Sequence, residues 1–240
     1  MNILITICAR GGSKGIPGKN IMVLNGKPLI YYSFNTAAKF ADLFKNVDVV
    51  LSTDDENIKD IVKKLGFDIE TDYTRPEFLA SDTAGKIGAI HDVLKYTELG
   101  KRKSYDYVID LDVTSPLRTI DDILAAFTLL KSDSEAYNIF SVSPANRNPY
   151  FNMVEQNESG YFSTCKTGTF FTRQSAPRVY DMNASFYIYR SNFFKDQINK
   201  AITDKSLIYE VPHVCFDLDH PIDFAIMSYL MENNHLNFAI

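Results

Sequence analysis

The chain has 240 residues, 45% of them hydrophobic and 23% charged, with a formal net charge of −5. That length supports one large α/β domain whose core needs no covalent staples. The acidic total argues against bulk attraction to nucleic acid or an anionic membrane surface, and no apolar run approaches the ~18 residues of a membrane span. The N-terminus enters a strand pattern directly, without a charged leader or cleavage site, which predicts a cytoplasmic protein.

Strand and helix patterns alternate over the first 140 residues. The pattern predicts strands at 3–8, 47–52, 105–111 and 138–143, with helices at 28–40, 56–65, 83–97 and 119–131. In the second helix Ile58, Ile61, Val62 and Leu65 share one face. Such alternation implies βαβ units in a mostly parallel, doubly wound sheet. Ligands on such sheets sit beyond the carboxyl ends of the strands. From Ser143 to about Asn183 the rhythm gives way to segments rich in aromatics, Asn, Arg and Pro. This excursion reads either as a subunit contact, which its aromatics and arginines favour, or as a self-packed β-arm. The α/β pattern then returns, with a strand at 184–190, a helix at 191–202, a strand at 207–211 and a last helix at 221–232. The division expected is a core of 1–142 and 184–240 interrupted by an excursion of 143–183.

Directly after the first strand stands ARGGSKGIPGKN, with Gly11, Gly12, Gly15 and Gly18 and the cations Arg10, Lys14 and Lys19. Glycine lets a backbone come close to a ligand, and cations suit phosphate. The loop is no Walker A motif: five residues separate Gly12 from Gly18, and Asn20 stands where a hydroxyl is needed. Nor do two of its glycines lie two apart, as a dinucleotide-binding turn requires. A long glycine loop bearing Arg10 and Lys19 remains, and two cations can clamp a triphosphate and stabilise the charge that builds on it during displacement.

The loop resembles the N-terminal signature of the CMP-sialic acid synthetases, the acylneuraminate cytidylyltransferases. Further segments match that family in the same order: RPEFLASDTA at 75–84, VTSPLR at 113–118, TRQSAPRVYDMNASFYIY at 172–189 and FDLD at 216–219. Together they span nearly the whole chain. The resemblance implies a Rossmann-like nucleotide-diphospho-sugar transferase fold. It also implies transfer of CMP from CTP to the anomeric hydroxyl of a nine-carbon 2-keto sugar acid, with release of pyrophosphate. It further implies a homodimer in which the excursion reaches over the partner's active site. DLDVTSPLR, ANRNPYFNM and RQSAPRVYDMNAS are more similar to the branch that activates bacterial nonulosonic acids such as N,N′-diacetyllegionaminic acid.

Residue by residue, the resemblance puts Arg10, Lys19, Asn20, Arg75 and Ala84 on the CTP side, Ala84 through its backbone. It assigns catalysis to Arg10, Lys19 and Asp219, and a magnesium ion to Asp217 and Asp219. Two carboxylates beside a triphosphate suit Mg²⁺, which takes few protein ligands and completes its shell with phosphates and water. Asp219 just before Pro221 also reads as a helix cap. On the sugar side the matches are Asp112, Arg173, Asn183, Tyr187, Phe193 and Phe194. Strand or core packing is the plainer reading for the last three, and an interface ion pair for Arg173.

Five positions depart from the family, among them Val113 where proline is usual. Asp112 stands where glutamine is usual, and an ionised carboxylate only accepts hydrogen bonds. It would repel a sugar carboxylate unless a cation lay between them. Asp112 therefore reads a different sugar, adds a carboxylate to the metal, or caps the next helix, while Asp110 reads as structural. Lys86 stands where serine is found, and Phe151 and Asp181 align with a family lysine and arginine.

The three cysteines form no CxxC pair, and the four histidines form no ligand cluster. No G-x-S-x-G occurs, and in-line attack by the sugar hydroxyl requires no covalent intermediate. The alternatives are another nucleotide-sugar pyrophosphorylase, such as a CMP-Kdo synthetase, and a non-catalytic nucleotide-binding relative.

Overall fold

A computed structural model describes residues 1–12, 15–81 and 83–240, so Lys14 of the glycine loop lies outside the described residues. In chain order the elements are β1 (Ile3–Cys8), a 3-10 turn (Lys19–Ile21), β2 (Val23–Leu24), β3 (Lys27–Pro28), α1 (Ile30–Leu43), β4 (Val47–Ser52), α2 (Glu56–Lys64), α3 (Glu77–Ala80) and α4 (Lys86–Lys101). There follow β5 (Tyr107–Leu111), α5 (Ile120–Ser132), β6 (Asn138–Pro144), β7 (Val154–Gln156), β8 (Phe162–Thr164), β9 (Tyr180–Arg190), α6 (Ser191–Lys195), β10 (Ser206–Glu210) and α7 (Pro221–Glu232).

Among the described residues the main sheet has six strands in the order β10-β6-β9-β5-β1-β4. β1 pairs in parallel with β4 and β5, and β10 with β6. β9 alone runs antiparallel, to β5 and to β6. Its sense follows from its connection. The chain leaves β6 through an extended arm instead of a crossover helix, and it returns beside β6 as a hairpin partner does. The arm carries a two-stranded sheet of its own, β7 with β8.

Alternation along β1 places Ile3, Ile5 and Ile7 in one buried cluster, with Phe34, Ala37 and Phe40 of α1 and Ile123 and Phe127 of α5. Leu4 faces a second cluster, with Ile90, Val93 and Leu94 of α4. The sheet is thus covered on both faces, which is why its inner strands read as unbroken apolar runs.

Several helix boundaries differ from the periodicity, α1 and α4 running on to Leu43 and Lys101. α4 begins at Lys86 instead of residue 83 because a turn closes first, the Ala84 amide donating to the Ser81 carbonyl. α6 ends at Lys195 instead of running to 202. Gln197 takes φ 56°, and the Ile198 amide folds back to the Phe193 carbonyl, a left-handed helix stop that apolar spacing does not reveal.

The strand order fixes where a ligand fits. From β1 the chain moves outward to β4, then crosses back to β5 on the other side of β1. The reversal opens a crevice beyond the carboxyl ends of β1 and β5. The glycine loop follows β1, and Asp112 follows β5.

Candidate active site

A cleft of about 400 Å³ lies at this switch point. Gly15, Lys19 and Asp219, joined by close contacts, line one part of it, and Arg10 lies against α3 at Ala80. Leu79, Ala84, Gly85, Lys86 and Ala89, from α3, α4 and the turn between them, line another, and Cys8, Arg75 and Asp112 complete it with Asn20 and Thr114. Among the described lining residues are four cations and two carboxylates. In a chain of net charge −5 this is a locally positive cleft, suited to an anion.

Backbone geometry builds the cationic part. Gly18 takes φ 66° and starts the 3-10 turn that carries Lys19. The buried Asn20 donates from Nδ2 to the Arg10 carbonyl at 2.9 Å, tying the far end of the loop back to the end of β1. Arg10 Nη1 lies 3.4 Å from the Ala80 carbonyl. Lys19 donates from Nζ to the Leu218 carbonyl and lies 3.9 Å from Asp219. A Cβ on Gly15 would stand 2.4 Å from the Asp219 carbonyl oxygen, so only glycine lets the loop approach this segment so closely.

The FDLD segment lies extended against the turn after β5, the Leu218 amide donating to the Thr114 carbonyl at 2.9 Å. Leu218 is buried and Asp219 exposed. Asp219 does not cap α7. His220 holds the cap position, and the Asp223 carboxylate accepts from the Asp219 and His220 amides at 3.1 and 2.7 Å. The Asp219 side chain is left to face the cleft. Asp217 does not line the cleft, but burial, with the nearby charges of Asp112 and Asp219, raises its pKa above the usual carboxylate value. This crowding of carboxylates favours a cation beside them. Among the described residues no group of three or more His, Cys, Asp or Glu side chains is placed to hold a metal ion. The fit is that of a cation held by one or two carboxylates and completed by ligand phosphates.

Lys86 carries the most informative contacts. From the first residue of α4 its ammonium reaches Asp110 Oδ2 at 2.7 Å and Asp112 Oδ2 at 2.5 Å, and it lies 5.1 Å from the centre of the Tyr187 ring. Asp110 is fully buried and also accepts from the Thr6 hydroxyl at 2.8 Å. Asp112 Oδ1 accepts from the Thr114 amide and hydroxyl, both at 2.9 Å. Burial opposes the charge on Lys86, but Asp110 and Asp112 outweigh it and hold its pKa well above the usual lysine value. For Asp112, too, burial is outweighed by Lys86, and its pKa lies below the usual carboxylate value. Asp112 is not the cap of the next helix: Thr119 caps α5. The cation required beside Asp112 is present as Lys86, four residues before the helical position of Ile90 in the core.

The cytidylyltransferase family model matches residues 4–233. The chain belongs to this family. It is 40% identical over 235 residues to post-translational flagellin modification protein B of Campylobacter coli, covering 98% of this chain and 97% of that protein. It is 37% identical over 235 residues to the CMP-N,N′-diacetyllegionaminic acid synthase of Campylobacter jejuni subsp. jejuni serotype O:2, with the same coverage. In fold it is similar to a CMP:2-keto-3-deoxy-manno-octonic acid synthetase solved in complex with CTP, at a TM-score of 0.70 and 18% identity over 98% of this chain and all of that one.

Within this cytidylyltransferase the other expected positions lie as follows. Arg75 lines the cleft but is pinned, donating from Nε and Nη2 to the hydroxyl and carbonyl of Ser52 at 3.0 and 2.9 Å. Ala84 lines it too, with its amide already given to Ser81. Asn183 is buried between strands, accepting from the Ser141 hydroxyl at 2.6 Å and donating to the Ser143 hydroxyl at 3.0 Å. Tyr187 is nearly buried above Lys86. Phe193 and Phe194 pack in the second core cluster against Tyr189, at ring separations of 4.6 and 5.4 Å. Arg173 lines a different cleft, with Asn148 and Arg178, and donates to the Ala145 carbonyl.

Arg118 of the TSPLR segment is a structural residue. It is fully buried and donates to the carbonyls of Asp112, Ser115 and Ser185 at 2.9, 2.8 and 2.8 Å and to the Ser33 hydroxyl at 2.5 Å. Burial pulls its pKa down to about 10. Cys8 lines the cleft but is no nucleophile, since burial, reinforced by Asp110, pushes its thiol up to about 12. The contact of Lys86 with Asp110 and Asp112 is what residue types alone did not give. The signal was Asp110 and Asp112 on the same side of a strand end with a lysine at a helix start.

Proposed function

We propose that this cytidylyltransferase transfers CMP from CTP to the anomeric hydroxyl of a nonulosonic acid, of the sialic or legionaminic type, and releases pyrophosphate. The observation that carries the reading is the gathering of Arg10 and Lys19 with Asp219 on one cleft at the switch point of the sheet. The relatives at 40% and 37% identity, covered almost end to end, support the nonulosonic branch.

In this reading Arg10 and Lys19 hold the triphosphate and stabilise the charge that develops as pyrophosphate leaves. The loop glycines let the phosphates come close to the backbone, with Asn20 fixing the loop. Asp217 and Asp219 are the residues that would hold a magnesium ion, which when bound would neutralise phosphate charge and polarise the α-phosphorus. The sugar hydroxyl attacks in line, and its positioning against the α-phosphorus supplies much of the acceleration. The excursion of 143–183 forms a homodimer contact and brings Arg173 to the sugar site of the partner, with the buried Asn183, Tyr187, Phe193 and Phe194 packed behind that site. Dependence on CTP assigns the reaction to the cytoplasm.

The deciding experiment measures pyrophosphate release from CTP with sialic, legionaminic, pseudaminic and Kdo acids. Turnover with a nine-carbon acid and none with Kdo is expected. Turnover with Kdo alone, or with none of the acids, overturns the proposal.

A further inference from the structure

The acidic run Asp54-Asp55-Glu56 follows β4 and meets the start of the glycine loop. Neither Asp54 nor Asp55 is among the described residues that line the cleft. A carboxylate beside a polyphosphate loop would oppose the ligand unless it is engaged by the protein, and its contacts supply the reason for its place. The Gly11 amide donates to Asp54 Oδ1 at 3.0 Å. The carbonyl of the same peptide, that of Arg10, accepts from Asn20 Nδ2 at 2.9 Å. Both polar atoms of the peptide that joins Arg10 to Gly11 are therefore held, and a planar peptide held at both ends fixes the Cα atoms on either side of it. One of these carries the Arg10 side chain into the cleft, where Nη1 lies 3.4 Å from the Ala80 carbonyl. Glycine at position 11 fits the same arrangement. A Cβ there would stand 2.6 Å from Asp55 Oδ2 and 2.9 Å from Asp55 Cβ. Asp55 is not free to swing away, because its carboxylate caps α2, accepting from the Asn57 and Ile58 amides at 2.8 and 3.4 Å.

We infer that Asp54 is a positioning residue for the transfer reaction: through the Gly11 amide it orients the Arg10–Gly11 peptide and so aims Arg10 at the triphosphate. This rests on the cytidylyltransferase reading of the same cleft. The segment that carries Asp54 is itself fixed to the cleft's frame. The Ser52 carbonyl accepts from the Ala9 amide at 2.9 Å and from Arg75 Nη2 at 2.9 Å, and the Thr53 carbonyl accepts from the Arg75 amide at 2.9 Å. Asp54 thus offers the loop an acceptor from a rigid base, and its bond to a backbone N–H is charge-assisted. Because Asp54 is exposed, removing it takes little from the stability of the fold, and its effect falls on the ligand.

The test is equilibrium binding of CTP, without sugar, to the wild type, Asp54→Ala, Asp54→Asn, Asn20→Ala and the Asp54→Ala/Asn20→Ala double variant, with a urea midpoint for each. The KM for whichever nine-carbon acid is turned over is measured in parallel. Asp54→Ala is expected to lose about tenfold in CTP affinity, because a small displacement of a positioning group is costly, at an unchanged urea midpoint and an unchanged sugar KM. Asp54→Asn keeps an acceptor for the Gly11 amide and should recover most of that loss. The double variant should lose less than the product of the two single losses, because both changes free the same peptide. Unaltered or tighter CTP binding by Asp54→Ala overturns the inference alone, whether or not the urea midpoint falls. So do an Asp54→Asn variant no better than Asp54→Ala, and losses that simply multiply in the double variant. A wild type that does not bind CTP overturns both the inference and the reading beneath it.

Discussion

Lys86 lies 2.7 Å from a carboxylate oxygen of Asp110, a residue with no exposed surface. Removing the lysine leaves Asp110 and Asp112 side by side without their counterion, and breaking a buried pair on one side costs about 3–5 kcal/mol. Lys86→Met is expected to lose stability on that scale at pH 8 in urea unfolding. The sign of the pH effect follows from the shifts. The depressed pKa of Asp112 gives stability that is present above the usual carboxylate value and lost as pH falls through the depressed one. The raised pKa of Lys86 gives stability that is present at and below the usual lysine value and lost only as pH rises through the raised one. Between these limits the wild-type pair is intact. In the variant, protonation of Asp112, no longer held ionised by the lysine, relieves the repulsion, so the gap from wild type should narrow from pH 8 to pH 5. An equal loss at both values would show that the ion pair is not the source.

Asp217 makes the opposite kind of prediction. Burial, with Asp112 and Asp219 adding to it, raises its pKa, so it takes up a proton at a higher pH than an ordinary carboxylate. A cation ligand must be deprotonated. Activity should therefore fall on the acid side earlier than an exposed aspartate would allow, and added magnesium should shift the acid limb downward. In Asp219→Asn one neighbouring charge is gone, and the limb should move to lower pH in the residual activity. A limb insensitive to magnesium would remove Asp217 from the metal's surroundings.

Gly15 tests the approach of the loop to the FDLD segment. Its added Cβ would meet a backbone oxygen, Asp219 O, at 2.4 Å, and no side chain can swing aside to relieve it. Gly15→Ala is expected to lower kcat/KM at least about tenfold, because small displacements at a phosphate site are costly. Gly12→Ala, whose added Cβ meets no described residue within 4 Å, is the control and should cost much less. Equal effects would place the constraint elsewhere.

The sequence was most legible where one force acts alone. The strand at 47–52 and the helix at 221–232 lie where pattern and Pro221 place them, because buried apolar runs and a proline at the first helical position are local signals. The loop residues Arg10, Lys19 and Asn20 could be tied to the end of β1 because the glycines follow a strand directly. What the pattern did not carry was tertiary in origin. The sense of β9 depends on how the arm returns, and the early end of α6 on one left-handed residue, Gln197. The partner of Asp112 comes from a helix that lies on a different part of the chain, and no spacing rule links residue 86 with residue 112. The two roles of aspartate at 217 and 219 separated only when His220 and Asp223 were seen to supply the cap.

Arg118 distinguishes a structural arginine from a catalytic one inside a motif that carries both kinds of residue. Its guanidinium joins the Asp112–Ser115 turn to Ser185 of β9 and Ser33 of α1. Arg118→Met would remove three bonds from a charged donor to carbonyls that each keep one other partner, the Ser33 hydroxyl on Asp112, the Ser185 hydroxyl on Ser115 and the Asp112 amide on Ser185; at about 1.5–3 kcal/mol for each such bond, unfolding stability should fall by at least about 3 kcal/mol. A site arginine behaves otherwise, because it is not held by the fold and its loss spares stability while damaging turnover. Because Arg118 also donates to the Asp112 carbonyl, the carboxylate of Asp112 should lose its fixed position in the variant, and kcat/KM should fall with stability. A small amount of denaturant-resistant Arg118→Met with normal stability and no turnover would reverse the assignment and put this guanidinium among the groups that touch substrate.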